Sequence, residues 1–466
     1  MKKFTIFITI GILFIAGCKL GPDFQSPKYT GNDIFRFDTL TTDTVVNLKW
    51  WELFNDAELN KLIKIALNNN KDVLIAAARI DAAKANFGYT KADQFPAFGV
   101  SANGGGGNYG GGSLLNSNIS YFSAYPEMSW ELGFWGKYKR LNEAARAELM
   151  ASEYAKRTVQ IGIISAVAST YFSLLENKEK LEISKQTLAS RDSGLKIIQA
   201  RYDYGVVAEI DLNQAQIQKE ISAAAVPSYE RAVATTENTL SILLGENPKG
   251  FITNKTLIEQ QTPPEIPEGL PSQLLLRRPD IREAEQTYRA QNARIGAAQA
   301  MRWPSLNITG LLGYASNDLL DISTGGLAWS AAGSLTGPLF QFGKNKRRVE
   351  IERYNTEVAL RDYENTTLTA FKEVADALIT IKTLKTELAA NKSRNIAAIN
   401  AEMLSAERYD KGQTSYLEVL ESQRQSFDAQ LTYTQTQREL LDAYISLYKA
   451  LGGGWISPEE EASSNN

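Results

Sequence analysis

The 466-residue chain contains no histidine and one cysteine. Without histidine no Ser-His-Asp or Cys-His nucleophile, His-ligated zinc or imidazole shuttle can be assembled, so only Asp, Glu, Lys, Tyr and Ser could do acid-base or nucleophilic work. This disfavours an enzyme. A lone cysteine can form neither an intrachain disulfide nor a Cys-rich metal site, so its position has to explain it. Methionine is scarce, at 5 residues, which together with the missing histidine argues weakly against a protein dedicated to copper or silver. The net charge is only −3 with both signs mixed along the chain, and it gives no electrostatic case for a nucleic-acid partner. No cofactor motif is present. The Gly-rich GGGGNYGGG at 104–112 lacks the terminal Gly-Lys-Ser/Thr of a phosphate loop and leads into no helix, so it reads as a flexible loop at the outer end of a hairpin.

The N-terminus points to a compartment. Lys2 and Lys3 precede an apolar run from Phe4 to Ala16, too short for a comfortable helical span of about 20 residues and typical of a secretory signal. The run ends in Ile15-Ala16-Gly17-Cys18. Small residues just before a cysteine match a bacterial lipoprotein cleavage box, so residues 1–17 read as a signal peptide, Cys18 as the acylated first residue, and 18–55 as a lipidated N-terminal segment. The other reading is a buried apolar cysteine in an uncleaved segment. Lys19, rather than Asp, follows the cysteine, which in enterobacterial-type sorting favours the outer membrane.

An internal duplication organises the rest. Asp72-Val73 aligns with Asp280-Ile281, and Gln94-Phe95-Pro96 with Arg302-Trp303-Pro304, at an offset of 208. The offset then becomes 207. It pairs Phe134-Trp135-Gly136-Lys137 with Gln341-Phe342-Gly343-Lys344, RYDYG at 201–205 with RYDKG at 408–412, and Leu244-Gly245 with Leu451-Gly452. A unit this long is not a solenoid repeat, so the chain reads as two copies of one block, 56–250 and 272–452, joined by a Pro-rich linker at 251–271 and followed by a tail at 453–466.

Within each copy the period changes. Between Gly343 and Gly412 lie 68 residues without Gly or Pro, and the paired stretch after Gly136 holds only Gly162 and Gly194. These predict long helices over 137–203 and 344–410, each roughly 100 Å at about 1.5 Å per residue. A rod of that length needs lateral partners. Phe371, Val374, Leu378, Ile381, Leu384 and Leu388 supply a seam at spacings of three and four, as in a coiled coil. Shorter helices are predicted at 206–245, where Pro227 should introduce a kink, and at 413–451.

Two stretches, about 96–132 and 304–337, alternate instead. Phe98, Val100 and Ala102 oppose Ser101 and Asn103; Phe122, Ala124, Met128, Trp130 and Leu132 oppose Ser123, Glu127, Ser129 and Glu131. In the second copy Leu306, Ile308, Leu312, Trp329 and Leu335 oppose Ser305, Asn307, Thr309, Ser330, Ser334 and Thr336. Segments of this length suit tilted membrane strands, with Trp130, Trp135, Trp303 and Trp329 near their ends. Two hairpins cannot close a barrel alone, and an open sheet edge in lipid is prohibitive, so several chains would have to pool them. A soluble sheet packed on helices is the alternative.

These residues carry a resemblance. CKLGPDFQSP at 18–27, WWELFNDAELNKLIKIALNNNKDV at 50–73, RRPDIREAE at 277–285, GPLFQFGK at 337–344, both RYD-x-G turns and LYKALGGGW at 447–455 together resemble the TolC-like outer-membrane efflux proteins, in the lipoprotein branch that serves resistance-nodulation-division (RND) pumps. The resemblance implies a mixed α and β membrane protein: a homotrimeric, 12-stranded β-barrel with four strands per chain, continued by a long α-helical coiled-coil barrel. It implies passive conduction of small toxic solutes across the bacterial cell outer membrane, with a periplasmic adaptor (membrane fusion protein), an inner-membrane RND-type transporter and outer-membrane lipid as partners. A lipid-anchored periplasmic coiled-coil scaffold or tether without a pore is the rival from another class.

Candidate site residues gather where the helices reverse, at Gly205 and Gly412. Beyond the second turn Glu418 and Glu421 stand three apart, on one helical face. In the family the corresponding positions carry acids that ring a constricted entrance. Asp211 is the equivalent of Glu418 in the first copy, whereas Gln214 replaces the second acid. Three chains would crowd these carboxylates, raising their pKa values and favouring bound cations. An ordinary solvated helix face is the bland reading. A glycosidase-like acid pair finds no sugar-sized cleft. Tyr409 matches a gate position of the family, and the duplication adds Arg408, Tyr202 and Arg201 as gate residues. Thr414 stands where some relatives carry a gate arginine, so an inter-subunit Arg-Asp lock of that form is absent. The turn residues Tyr204, Gly205, Val206, Lys411, Gly412 and Gln413 are candidates for adaptor docking.

Overall fold

The structure is a computed structural model that describes residues 19–27, 50–108, 118–263, 277–321 and 327–453. The proposed signal peptide, Cys18, most of the N-terminal segment after residue 27, the tail from 454 onward, the end of the linker from 264 and the Gly-rich stretch from 109 lie outside the described residues. After a 3₁₀ turn at Trp50–Phe54 come α1 (Ala57–Asn69), α2 (Lys71–Ala92), β1 (Ala97–Asn108), β2 (Asn118–Leu132), α3 (Lys137–Asp203) and α4 (Glu209–Leu243). The second copy supplies α5 (Pro279–Ala300), β3 (Ser305–Ser316), β4 (Leu327–Thr336), α6 (Lys344–Asp410) and α7 (Tyr416–Ala450). The duplication is visible in the lengths: α3 and α6 have 67 residues each, α4 and α7 have 35 each.

Element ends depart from the sequence expectation in several places. The Gly-rich stretch read as a loop is strand as far as Asn108, since Gly104 to Gly107 pair with Phe122 to Ile119 and extend β1. The helices after the turns start at Glu209 and Tyr416 rather than at 206 and 413. The three residues before each are needed to reverse the chain, and they end in extended caps, Ala208 (φ −81°, ψ 157°) and Ser415 (φ −80°, ψ 157°). The first helix of the first copy is broken at Asn70, whose ψ of 132° is not helical; its side chain then caps α2 by accepting from the Asp72 and Val73 amides. α4 continues through Pro227 as one helix.

The chain divides into two units. The first, Met1–Tyr29, Ala78–Tyr154 and Arg282–Asn365, holds a four-stranded antiparallel sheet in the order β1-β2-β3-β4. Its register keeps the alternation in phase. Phe98 faces Met128, Trp130 faces Ile308, and Leu312 faces Trp329, so these apolar residues of all four strands share one face, whereas Leu311 lies on the other, opposite Glu127. Asn103 opposite Ser123, Glu131 opposite Asn307 and Asn307 opposite Ser334 share the other. Ser101 donates to Glu127 at 2.9 Å on that polar face. The apolar face is bare within the chain: Val100 is 81% and Trp329 73% exposed. Gly313 is required where β3 passes β2, because a Cβ there would lie 2.3 Å from the Tyr125 Cβ.

The same unit seats the segment that follows Cys18. The buried Arg140 donates to the Leu20 carbonyl at 2.9 Å and the Gly21 carbonyl at 2.8 Å, and pairs with Glu143 at 3.1 Å. Gly296 leaves the room this needs, since a Cβ there would meet both Arg140 and the Leu20 carbonyl at 2.6 Å. Near the strand ends the indole of Trp135 donates to the Pro304 carbonyl at 2.7 Å and stacks on Trp303 at 5.0 Å, the use of an apolar ring with a polar handle expected at a membrane-water boundary.

The second unit, Thr30–Ala77, Ala155–Ile281 and Thr366–Asn466, has an aromatic core: Trp50 stacks on Tyr448 at 5.3 Å and Phe54 packs on Phe172 at 5.1 Å. Asp56, buried, caps α1 through the Glu58 and Leu59 amides and accepts from Tyr171 and Gln260, both at 2.8 Å. α3 contains one 18-residue window apolar enough to cross a membrane by length and composition. Its Ile164, Val167, Ala168, Phe172 and Leu174 are nevertheless all at most 1% exposed, so this stretch is packed core, and the membrane-facing candidate is the sheet.

Candidate functional site

All the candidate gate residues lie in the second unit, around the turns from α3 to α4 and from α6 to α7. Each turn is a Schellman cap. Gly205 (φ +71°) donates to the Tyr202 carbonyl and Val206 to that of Arg201, both at 2.8 Å; Gly412 (φ +69°) donates to Tyr409 and Gln413 to Arg408, both at 2.9 Å. The positive φ requires glycine, which is why the RYD-x-G pattern occurs twice. The turn residues are solvent-facing, with Tyr204 86% and Val206 70% exposed.

Apolar packing joins the two hairpins. Ile198 of α3 and Ala215 of α4 are buried with Tyr416, Val419 and Leu420 of α7, and Leu195, Val207, Leu212 and Tyr409 pack around them. Polar links flank this cluster. Arg201 reaches the second hairpin, pairing with Asp410 at 3.4 Å while its guanidinium lies 4.7 Å from the Tyr409 ring centre. Arg408 stays on its own hairpin and pairs with Glu418 at 2.8 Å. The other oxygen of Glu418 accepts from the Thr414 hydroxyl, so Thr414 holds the acid where a gate arginine is missing.

Glu421 is held by Arg424 at 2.8 Å and by Gln425 at 2.7 Å. The Gln425 amide and the Arg424 guanidinium lower its pKa below the usual glutamate value, opposite to the rise expected from crowding alone; within one chain, donors from its own helix dominate. Tyr409 and Tyr416 lie 5.3 Å apart. Burial, with the neighbouring Tyr409 and Asp211, pushes the Tyr416 phenol up to about 12. The Tyr409 hydroxyl is buried without a hydrogen-bond partner. Asp211 sits half-buried near Tyr416, and Tyr202 is exposed.

Sequence reasoning missed several participants. Asp410 was readable as the third letter of the RYD triplet, but only the fold shows that it takes Arg201. Arg424, three residues after Glu421, was readable from i,i+3 spacing. Arg191 carried no signal. It is buried, donates to the Gln218 carbonyl and Ser222 hydroxyl at 2.8 Å each, and lies 5.2 Å from the Phe427 ring, so it ties α3 to both α4 and α7. Among the described residues no three His, Cys, Asp or Glu side chains gather to hold a metal ion.

A family profile described as "Outer membrane efflux protein" matches residues 62–246 and 270–453, once in each copy of the duplication. The toluene efflux pump outer membrane protein TtgC of Pseudomonas putida is 30% identical over 480 residues, covering 99% of this chain and 98% of its own length. The probable outer membrane lipoprotein SilC of Salmonella typhimurium is 32% identical over 470 residues, 98% of this chain and 100% of its own. The crystal structure of the Campylobacter jejuni CmeC outer membrane channel superposes with a TM-score of 0.87 at 26% identity, covering 96% of this chain and 98% of that one.

Proposed function

Because this chain belongs to the outer membrane efflux protein family, we propose that three copies close their sheets into one 12-stranded barrel in the outer membrane and their helices into a tunnel. The assembly conducts small toxic solutes outward without chemistry of its own. The observation that carries this is the sheet: one face mostly polar, with Leu311 the one large aliphatic residue on it among the described side chains, the other apolar and bare, with β1 and β4 as edges. In lipid the apolar face is content, but unpaired backbone groups along an edge cost several kcal/mol each. Pairing β4 of one copy with β1 of the next removes every edge and turns the polar face toward a water-filled bore. A pore-less tether leaves both the bare face and the edges unexplained.

The helices supply the path for solute and the turns its control. Carboxylates at Glu418 and Glu421, with Asp211, line the entrance, and Arg201, Tyr202, Arg408 and Tyr409 hold its helices together. No group in the chain supplies energy, so the driving force comes from an inner-membrane RND-type transporter through a periplasmic adaptor that docks on the exposed turns, Tyr204 to Val206 and Lys411 to Gln413. Acylation of Cys18 adds a lipid anchor, and the Arg140 clamp on Leu20 and Gly21 fixes the chain just behind it.

Purified full-length protein reconstituted in planar bilayers tests the reading. Discrete conductance steps, together with a trimer band on unboiled denaturing gels that collapses on heating, are the expected result. Detergent-free solubility as a monomer with no conductance would refute it. Deleting the gene and comparing susceptibility across antibiotics, solvents, bile salts and metal ions identifies the solutes carried.

A further inference from the structure

The duplication assigns a contact that one chain cannot make alone. Equivalent positions in the two hairpins are 207 apart, Arg201 with Arg408 and Asp203 with Asp410. Within the chain the two RYD triplets are used in complementary halves: the first contributes its arginine, and the second contributes Tyr409 and Asp410 to receive it. Three side chains are left over. Tyr202 and Asp203 are exposed, and among the described residues Asp203 accepts from Gln199 on its own helix. Arg408 is 52% exposed and engages Glu418 through Nη1. The leftovers are the complement of the pair already formed: an arginine on the second hairpin, and a tyrosine with an aspartate on the first.

This inference rests on the proposed closed ring of copies, in which the second hairpin of each chain faces the first hairpin of the next in the same sense as first faces second inside a chain. We propose that Arg408 ion-pairs with Asp203 of the partner subunit and lies over the partner's Tyr202, and that this link, rather than apolar packing, holds the seam between copies. The same 207-residue mapping shows why the link matters there. On the first-hairpin side, the seam inside the chain uses Leu195, Ile198, Val207, Leu212 and Ala215; their equivalents are Glu402, Ser405, Thr414, Val419 and Ser422. Four of the five become polar, and Leu212 alone keeps an apolar counterpart. On the facing side Tyr416, Val419 and Leu420 correspond to Glu209, Leu212 and Asn213. Arg191, which ties the two hairpins inside the chain, corresponds to Ala398. The seam between copies therefore lacks the core that welds the two hairpins of one chain, yet keeps the full RYD complement. The tip divides between copies, each pair of hairpins moving as a body.

The test is cross-linking in full-length protein purified without adaptor. The variant Arg408→Cys with Asp203→Cys, treated with a short bis-maleimide, is expected to give dimer and trimer bands on boiled denaturing gels. The variant Arg201→Cys with Asp410→Cys is expected to cross-link at monomer mass, and each single variant to give no ladder. A trimer by native mass whose Arg408→Cys/Asp203→Cys form yields no intersubunit product, or only a monomer-mass product, overturns the inference and leaves the proposed channel intact. Absence of a trimer from the unsubstituted protein overturns both.

Discussion

Replacing the two triplet arginines by alanine, one at a time, separates a seam held by packing from a seam held by polar links. Arg201→Ala removes a partly exposed ion pair, whose side chains are 31% and 72% exposed, contributing about 0.2–1 kcal/mol. It also removes the stacking on Tyr409, about 0.5–1 kcal/mol at an exposed site. The loss is about 1–2 kcal/mol per chain. The same seam buries Ile198, Val419 and Leu420, and fully burying side chains of this kind is worth about 1.5–3 kcal/mol each. Arg201→Ala therefore lowers stability without parting the hairpins. Arg408→Ala removes the link to the partner's Asp203 and the partner's Tyr202 from a seam with no such core; its pair with Glu418, 52% and 41% exposed, lies within one hairpin and does not part with the seam. At about 1–2 kcal/mol per chain, three copies parting together lose about 3–6 kcal/mol, an increase of roughly 10²–10⁴ in the open-to-closed ratio at about 1.4 kcal/mol per decade. Single-channel recording in planar bilayers reads this as the fraction of time in the high-conductance state. Arg408→Lys, which keeps the charge but loses the planar fork, falls between. High salt should also open the parent protein, since screening shortens the Debye length to about 3 Å at 1 M. Equal opening by Arg201→Ala and Arg408→Ala, or silence of Arg408→Ala, refutes the reasoning.

Three further outcomes are expected. Replacing Glu418 and Glu421 together by alanine raises ion conductance and weakens divalent-cation block: a carboxylate about 4 Å from an ion in water is worth about 1 kcal/mol per unit charge, twice that for a divalent ion, so the half-blocking concentration rises at least about tenfold in bilayer recordings. Unchanged conductance and block remove both residues from the gate. Tyr416, whose folded pKa of about 12 lies above its ordinary value of 10.0, favours the fold while neutral, so its contribution is full below pH 10 and is lost as pH rises through 12. Tyr416→Phe should accordingly flatten the fall in melting temperature between pH 9 and 12, and an unaltered profile counts against the buried neutral phenol. Cys18→Ala should abolish labelling by radioactive palmitate while leaving conductance in place, because the barrel holds itself in the membrane; persistent labelling overturns the anchor assignment.

What the sequence made legible follows from which interactions are local. Strand alternation and long rods without Pro and with little or no Gly are properties of consecutive residues. The strand faces could therefore be assigned before the fold was known, and in the sheet Phe98, Met128, Ile308 and Trp329 do lie on one side. Gly205 and Gly412 were legible because a positive φ after a helix leaves few alternatives to glycine. The break at Asn70 was not: Asn68, Asn69 and Asn70 are all weak helix formers and do not by themselves say where the helix stops, and the point is set by packing, the Asn70 amide donating to the Leu243 carbonyl 173 residues away at 2.9 Å. Arg191 and Asp410 were hidden for the same reason. Arg191 finds Gln218 and Ser222 on α4 and Phe427 on α7, and Asp410 finds Arg201 on α3; tertiary contact selects these partners, and neither spacing nor residue type announces them.

The duplicated chain faces the same geometric problem twice, joining its two halves to each other and to the next copy, and the two parts of the molecule answer it with different chemistry. In the sheet β2 pairs with β3 inside the chain through backbone groups, and the edges β1 and β4 offer the same groups to neighbours. Backbone hydrogen bonds do not depend on side-chain identity and are worth about 4–6 kcal/mol each in an apolar medium, so divergence of the two copies cannot weaken one joint relative to the other, and no joint opens. At the helical turns only side chains meet. Substituting Ile198, Val207 and Ala215 in one copy for Ser405, Thr414 and Ser422 in the other costs the outer seam its core while leaving the inner one intact. A few polar links, individually near the thermal scale in water, then set the balance between shut and open. A barrel that must never leak at its joints and an entrance that must part on demand can thus be encoded in one repeated block, provided that the copies diverge only where side chains rather than backbone make the joint.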